Sequence, residues 1–240
     1  MSVIIPAILP TSRADLDEKL LQLQGLCTDV QIDIVDGRYV RPASWPYSEH
    51  PATAHEKPEL EDDAFSYLGR LCLEMDLMVE RPEIEIARWI RAGASRITVH
   101  AETAHNLPRL IRDFKTTYGH DKDFAGLLSF GLAIHIGTDI SLIEPYLDHI
   151  NYVQFMGISS IGKQGEPFDR RVLPKIAAWR RTYPDMPIQV DGGVSLSTAP
   201  DLLSAGVSRL IVGSALWRAP NMPEAFKEFT DLTVRYGMYA

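Results

Sequence analysis

The sequence predicts one α/β domain, a single (β/α)8 TIM barrel over residues 1–240. Short β-branched apolar runs alternate with amphipathic stretches along the whole chain. Strict alternation requires parallel strands, and eight such units can close into a barrel. A length of 240 residues with 45% hydrophobic content suits one unit with a deep core. Near the C-terminus, Val190-Asp191-Gly192-Gly193-Val194 and Ile211-Val212-Gly213-Ser214-Ala215 are apolar runs that end in helix-opening turns. Backbone N–H groups in such turns point outward, and glycine lets an anionic oxygen approach them. Two adjacent turns of this kind are the usual phosphate grip of such a barrel. The plain alternative is a pair of tight turns with no ligand. A doubly wound open sheet is the other fold to weigh, but no Gly-x-Gly-x-x-Gly follows the first strand.

The elements follow in order. Residues 3–9 form a strand, and residues 15–23 a helix with Leu16, Leu20 and Leu23 at helical spacing. Residues 30–35 are the second strand. Residues 41–61 are irregular, rich in proline and histidine, and longer than ordinary βα loops, so they read as a lid, an interface element or a decorative insertion. A helix is expected around 62–71 and a strand at 74–79. Pro82 opens a helix over 83–92 that Gly93 closes. Strands at 96–99, 131–136, 152–156, 187–190 and 209–212 alternate with helices at 107–118, 140–147, 169–183, 198–205 and 222–234. No linker or low-complexity segment divides the chain.

A net charge of −8 and a pI near 5.4 argue against nucleic acid or an anionic membrane surface as partner. No apolar stretch approaches membrane-spanning length, and the N-terminus lacks a basic flank and cleavage pattern, so the chain reads as cytoplasmic. Cys27 and Cys72 sit among apolar neighbours and read as buried thiols. Trp89, Trp179 and Trp217 read as packing residues. Trp45 and Tyr47 stand open between covering a bound sugar and packing a subunit contact.

Function in such a barrel sits where strands end and βα loops begin. Those positions carry Gln31, Asp33 and Asp36, then Asp76, His100, Glu102, His135, Met156 and Asp191. Side chains alternate along a strand, so Gln31 and Asp33 converge, while Asp36 caps the turn with Gly37. Two carboxylates about 4 Å apart cost on the order of 4 kcal/mol at an effective dielectric near 20. Three aspartates aimed at one axis therefore require either a divalent cation or a retained proton. For His100, hydrogen bonding to Glu102 or backbone is the ordinary role and a place in the site the sharper one.

These residues resemble the ribulose-phosphate 3-epimerase family over nearly the whole chain. Pro6-Ala7-Ile8-Leu9 is similar to its Pro-Ser-Ile-Leu, and Asp33-Ile34-Val35-Asp36-Gly37 with Val40 and Pro42 to its Asp-Val-Met-Asp-Gly…Val-Pro. Asp76-Leu77-Met78-Val79 with Pro82 is similar to its His-Leu-Met-Val…Pro. Thr98-Val99-His100-Ala101-Glu102, Gly131-Leu132-Ala133-Ile134, Val190-Asp191-Gly192-Gly193-Val194 and Gly213-Ser214-Ala215 also match. The resemblance implies a ribulose-phosphate-binding barrel, a phosphorylated ketose as substrate, a homo-oligomer, and epimerisation at C3 by two aspartates that match Asp33 and Asp191. It also implies a divalent metal that polarises the C2 carbonyl, held by those aspartates and by residues at positions 31 and 76.

The chain departs from the family at both histidine positions of that ligand set, which are Gln31 and Asp76 here. An all-oxygen set suits magnesium, manganese or calcium rather than zinc or iron, and a site without metal is the alternative. Added negative charge weakens carbonyl polarisation by any ion bound there. The family's first-strand serine, a substrate contact, is Ala7. Its loop Asn-Pro-Gly-Phe-Gly-Gly-Gln is replaced by residues 159–165, where Gly162, Gln164 and Gly165 are expected near substrate and Lys163 adds a cation. Gly192, Gly193, Gly213 and Ser214 are expected to hold the phosphate. His135 stands where the family often has asparagine or lysine and is a second candidate proton donor, while Met156 is a candidate wall residue. Two other functions stay open: a non-catalytic protein that binds a sugar phosphate, and a phosphosugar lyase or decarboxylase. The latter class resembles orotidylate decarboxylase, whose Asp-x-Lys-x-x-Asp strand has no lysine counterpart at Val35.

Overall fold

The computed structural model describes residues 3–49, 65, 69, 71–119 and 128–237. Eight parallel strands close into a barrel in sequence order, β1 (Val3–Ile8), β2 (Asp29–Val35), β3 (Cys72–Met78), β4 (Ala94–His100), β5 (Ser129–Ile134), β6 (Tyr152–Met156), β7 (Ile188–Asp191) and β8 (Arg209–Val212). Closure is made by β8 pairing with β1, from Val3 beside Arg209 to Pro6 beside Val212. The helices are α1 (Arg13–Leu23), α2 (Pro82–Arg91), α3 (Leu107–Tyr118), α4 (Val172–Thr182), α5 (Ala199–Ser204), α6 (Ser214–Trp217) and α7 (Met222–Tyr236).

Local chemistry sets most boundaries. Ser12 accepts a hydrogen bond from the Asp15 N–H and caps α1, as Asn106 caps α3 and Asn221 caps α7. Leu16, Leu20 and Leu23 face the core from α1. Four expectations are corrected. Residues 140–147 form no α-helix but two 3-10 segments, Ile140–Leu142 and Glu144–His149, because Pro145 has no N–H for an α-helical ladder. The helix expected from 169 starts at Val172, since the Asp169 carboxylate accepts from the Arg171 N–H and shapes a turn. The short α6 directly after Gly213 has no counterpart among the expected elements. Cys72 is exposed and Cys27 half-buried, and both are free thiols.

Trp89 and Trp179 are fully buried, as expected of packing residues. Trp45 belongs with them: it meets Trp89 edge-on, with ring centroids 6.3 Å apart, so it packs the core rather than covering a ligand. The expected irregular stretch is described only over 41–49. Residues 50–61, with His50 and His55, lie outside the described residues, as does most of the helix expected at 62–71. Within 41–49, buried Ser44 donates to the Asp33 carbonyl and accepts from the Val35 N–H, which pins this segment to the end of β2.

The outer faces of the strands pack on the helices through leucine, isoleucine, valine and aromatic side chains. The barrel interior is different, because much of it is polar. Its lower part is organised by Glu74 of β3, which is fully buried. Glu74 Oε2 pairs with Arg96 at 3.0 Å and Arg209 at 3.1 Å, and Oε1 accepts from Thr98 at 2.8 Å. Burial pushes the Glu74 carboxyl up, but the two guanidinium groups outweigh it and hold the group at about 2. A lowered value stabilises the fold above the ordinary 4.5 and is lost as pH falls through about 2. Glu74→Gln, which leaves two guanidinium groups facing a neutral amide, is expected to cost about 3 kcal/mol in urea unfolding at pH 7.

Candidate active site

At the carboxyl ends of the strands the register aligns the acidic side chains. Asp33 of β2 lies beside Asp76 of β3, and Asp191 of β7 lies beside Met156 of β6. Carboxylate oxygens of Asp33, Asp76 and Asp191 all lie within 4.8 Å of one another. Asp33 and Asp76 are buried and Asp191 is half-buried. Three carboxylates at this spacing repel strongly, and the surrounding side chains answer that repulsion in three ways.

The first is Gln31. Its Nε2 donates to Asp33 Oδ1 at 2.9 Å and to Asp191 Oδ2 at 3.1 Å, so one amide nitrogen bridges the opposite walls of the barrel. The second is Gln154, whose Nε2 donates to Asp76 Oδ2 at 3.0 Å. The third is His100 of β4, fully buried, with Nε2 at 3.3 Å from Asp76 Oδ1. That distance makes an ion pair when the imidazole carries its second proton, and Asp76 Oδ1 has no hydrogen-bond partner. Glu102 does not hold His100; its Oε1 accepts from the His135 N–H instead.

The protonation equilibria follow from this geometry. Burial raises the Asp33 carboxyl well above its ordinary value, and the charges of Asp191 and Asp76 add to the rise against the Gln31 hydrogen bond. Asp191 is raised to about 7 by burial and by Asp76, opposed by Gln31 and His100. Burial disfavours the His100 imidazolium, yet Asp76 more than compensates and holds it above its ordinary value. The site therefore retains a proton near neutrality, shared among groups that cannot all be charged together.

Above the aspartates opens a cleft. Asp33, Asp191 and Met156 line it together with Gly162, Gln164, Gly165, Gly192, Gly193, Gly213 and Ser214, all residues expected from the sequence to meet a substrate. Gly192 and Gly193 have φ of 98° and 68°, a backbone that side chains rarely adopt. A Cβ on Gly193 would fall 2.6 Å from the Phe168 backbone. These two positions accept glycine alone if the turn is to keep its shape. Gln164 reaches across the cleft mouth, donating to the Ala7 carbonyl, and lies against Gly213.

Gln31, Asp76 and His100 lie beneath this cleft rather than on its walls. Gln31 turns its nitrogen, not its oxygen, toward the aspartates, so ligation of a cation by Gln31 requires its amide to turn over. His135 does not line the cleft; its ring meets the Ser159 carbonyl at 3.0 Å and braces the loop after β6. Asp36 accepts from the Arg38 and Tyr39 N–H groups and caps the turn, as the sequence suggests. Sequence reasoning missed Glu74, Gln154 and Gln189. Each sits two residues before a strand-end position and so points to the same side. That alternation was the available signal.

A family model described as "Ribulose-phosphate 3 epimerase family" matches residues 3–217. The chain belongs to the ribulose-phosphate 3-epimerase family. Curated relatives agree. The chloroplastic ribulose-5-phosphate-3-epimerase of Arabidopsis thaliana is 30% identical over 234 residues, covering 94% of this chain and 75% of that protein. The ribulose-phosphate 3-epimerase of Bacillus subtilis is 28% identical over 234 residues, covering 95% of this chain and 98% of the relative. Among solved structures, KGPDC from Streptococcus mutans superposes with a TM-score of 0.68 at 12% identity, covering 98% of this chain and 99% of the other. The 3-hexulose-6-phosphate synthase of Salmonella typhimurium gives 0.65 at 12% identity, with the same coverage of 98% and 99%. At such identities these two show the shared barrel. Among the described residues no helix is long and apolar enough to cross a membrane.

Raised values for Asp33, Asp191 and His100 fix the sign of one pH effect. Each favours the folded state at low pH, and each contribution is lost as pH rises: from the unfolded aspartate value of 3.8 up to about 7 for Asp191, and above 6.5 for His100. Chelator-treated protein is therefore expected to melt at a lower temperature at pH 8 than at pH 5. Each tenfold rise in a group's proton affinity on folding is worth about 1.4 kcal/mol, so the loss amounts to a few kcal/mol. Differential scanning calorimetry across that range checks it, and Asp191→Asn should flatten the slope.

Proposed function

We propose that this family member is an isomerase that epimerises a phosphorylated ketose, of the pentulose 5-phosphate type, at C3. The observation that carries the reading is the single amide nitrogen bonded to both Asp33 and Asp191, at 2.9 and 3.1 Å. Two carboxylates from opposite walls that share one nitrogen are close enough to share one small substrate. Their raised equilibria supply one ionised and one protonated carboxyl near neutral pH, which is the pairing that acid–base chemistry on two faces of a carbon needs.

In the proposed reaction the ionised aspartate takes the proton from C3 and leaves an enediolate. The protonated aspartate then delivers its proton to the opposite face of C3. One C–H bond breaks, one forms, and the pair ends with its proton exchanged between walls. The phosphate lies in the turns at Gly192, Gly193, Gly213 and Ser214, with Gly162, Gln164 and Gly165 closing over the sugar. Anchoring the phosphate at a fixed distance from the aspartates places C3 between them.

The donor set fits a hard divalent cation. Three carboxylates from Asp33, Asp76 and Asp191 converge within 4.8 Å, and Asp76 Oδ1 has no aligned hydrogen bond. Oxygen donors of this kind suit magnesium, manganese or calcium. Such an ion would polarise the C2 carbonyl and stabilise the negative charge of the enediolate. The chain's own residues hold the proton, exclude water beneath the cleft and supply amide donors to the aspartates.

D-Ribulose 5-phosphate incubated in D2O with the protein is expected to lose its C3 proton signal by NMR. Asp33→Asn and Asp191→Asn should each slow this exchange by roughly 10²- to 10⁴-fold while leaving phosphosugar binding in a thermal-shift assay. A protein that binds the sugar phosphate yet exchanges no C3 proton would be a binding protein instead. Release of carbon dioxide or of an aldehyde from a phosphosugar would mark a lyase.

A further inference from the structure

We propose that Gln189, on β7 beneath the aspartates, is a positioning residue that fixes which end of the Gln31 and Gln154 amides faces the site. For what the aspartates do, this deepens and rests on the epimerase reading. The two ends of a side-chain amide are nearly equal in size, so its direction is set by neighbours that can only donate or only accept. Gln189 lies between one of each. Arg209 Nε, which only donates, meets Gln189 Oε1 at 3.0 Å. Glu74, held ionised by two guanidinium groups, only accepts, and it receives Gln189 Nε2 on Oε1. Reversing Gln189 would set its NH2 against the guanidinium and its oxygen against a carboxylate. The charges at the barrel base therefore leave it one orientation.

That orientation passes upward. Gln189 Nε2 has two hydrogens for three acceptors: one goes to Glu74, and the other points to Gln154 Oε1 at 2.7 Å and is shared with Gln31 Oε1 at 3.2 Å. With their oxygens so engaged, both glutamines turn nitrogen toward the carboxylates: Gln31 to Asp33 and Asp191, Gln154 to Asp76. All three glutamines are fully buried, so bulk solvent reaches neither end. Two consequences follow. The aspartates keep neutral donors whether or not a cation is present. A cation seeking the same carboxylates meets the Gln31 NH2 hydrogens, while the Gln31 carbonyl, a good hard ligand, is withheld. Gln189 thereby weakens the site's hold on a divalent ion without touching ion or substrate.

Mn2+ binding by the purified full chain, read by electron paramagnetic resonance, tests this without turnover. Gln189→Leu keeps bulk but ends the relay, and it should tighten Mn2+ binding on the order of 10-fold by freeing the Gln31 carbonyl to turn. The same change in a Gln31→Leu background should have no further effect on Mn2+ affinity. A merely structural role would lower the melting temperature and leave Mn2+ affinity unchanged or weaker. Unchanged or weaker binding in folded Gln189→Leu, absence of Mn2+ binding by both proteins, or an equal effect without Gln31 overturns the proposal. Gln189→Met replaces the leucine variant if that one does not fold. If neither folds, neutron diffraction on the wild type decides: deuterium belongs on the Gln31 and Gln154 ends that face the carboxylates, and the reverse overturns the assignment. Mn2+ binding and C3 exchange are separate readouts, so failure of the epimerase reading and failure of the relay are told apart.

Discussion

Negative charge buried along the barrel axis is the constraint on which the rest of this structure depends. Glu74, Asp33, Asp76 and Asp191 stand inside one closed sheet, and solvation by bulk water is not available to most of them. Isolated carboxylates in such a place would cost far more than the marginal stability of a domain allows. The fold answers at two heights. Low in the barrel, full positive charges from Arg96 and Arg209 neutralise Glu74. High in the barrel, beneath the cleft, compensation comes from amide donors, one imidazole and retained protons. Permanent charge is confined to the lower level, and adjustable compensation to the level of the three aspartates.

This division clarifies what the departures at positions 31 and 76 mean. An imidazole at both places would bring neutral nitrogen ligands and no extra charge. Asp76 instead adds a third carboxylate, and His100 stands beside it as a partner drawn from the next strand. Gln31 adds a donor where a ligand would stand. The site has not simply lost two ligands; its electrostatics have been rebuilt around side chains that supply hydrogens.

The barrel was legible in the sequence because strict βα alternation leaves few topologies, and three of its strand and helix spans agree residue for residue: Leu107–Tyr118, Tyr152–Met156 and Arg209–Val212. The convergence of Asp33, Asp76 and Asp191 was legible for the same reason, since strand ends in a closed sheet face one axis. What was hidden is the layer beneath. Glu74, Gln154 and Gln189 carry no motif, and a polar residue inside a strand reads as a solvent-facing one unless both faces of the sheet are known to be buried. His100 was legible as a strand-end residue but not in its partner, because Asp76 and Glu102 are equally available until the register is known. The direction of Gln31 was not readable at all. An amide offers a donor and an acceptor on the same stem, and the choice between them depends on residues up to 160 positions away.

The long reach of those contacts bears on how the chain is made. Glu74 leaves the ribosome well before Arg209, which follows it by 135 positions, and before Gln189, which follows by 115. A growing chain that ends after β6 already carries Arg96, Gln31 and Gln154, but Glu74 still lacks its second counter-ion, Arg209, and the amide of Gln189. Partial barrels of this sequence therefore leave Glu74 only half compensated until the last quarter emerges. Synthesis order, through one buried glutamate, favours a late and all-or-none closure over stepwise assembly.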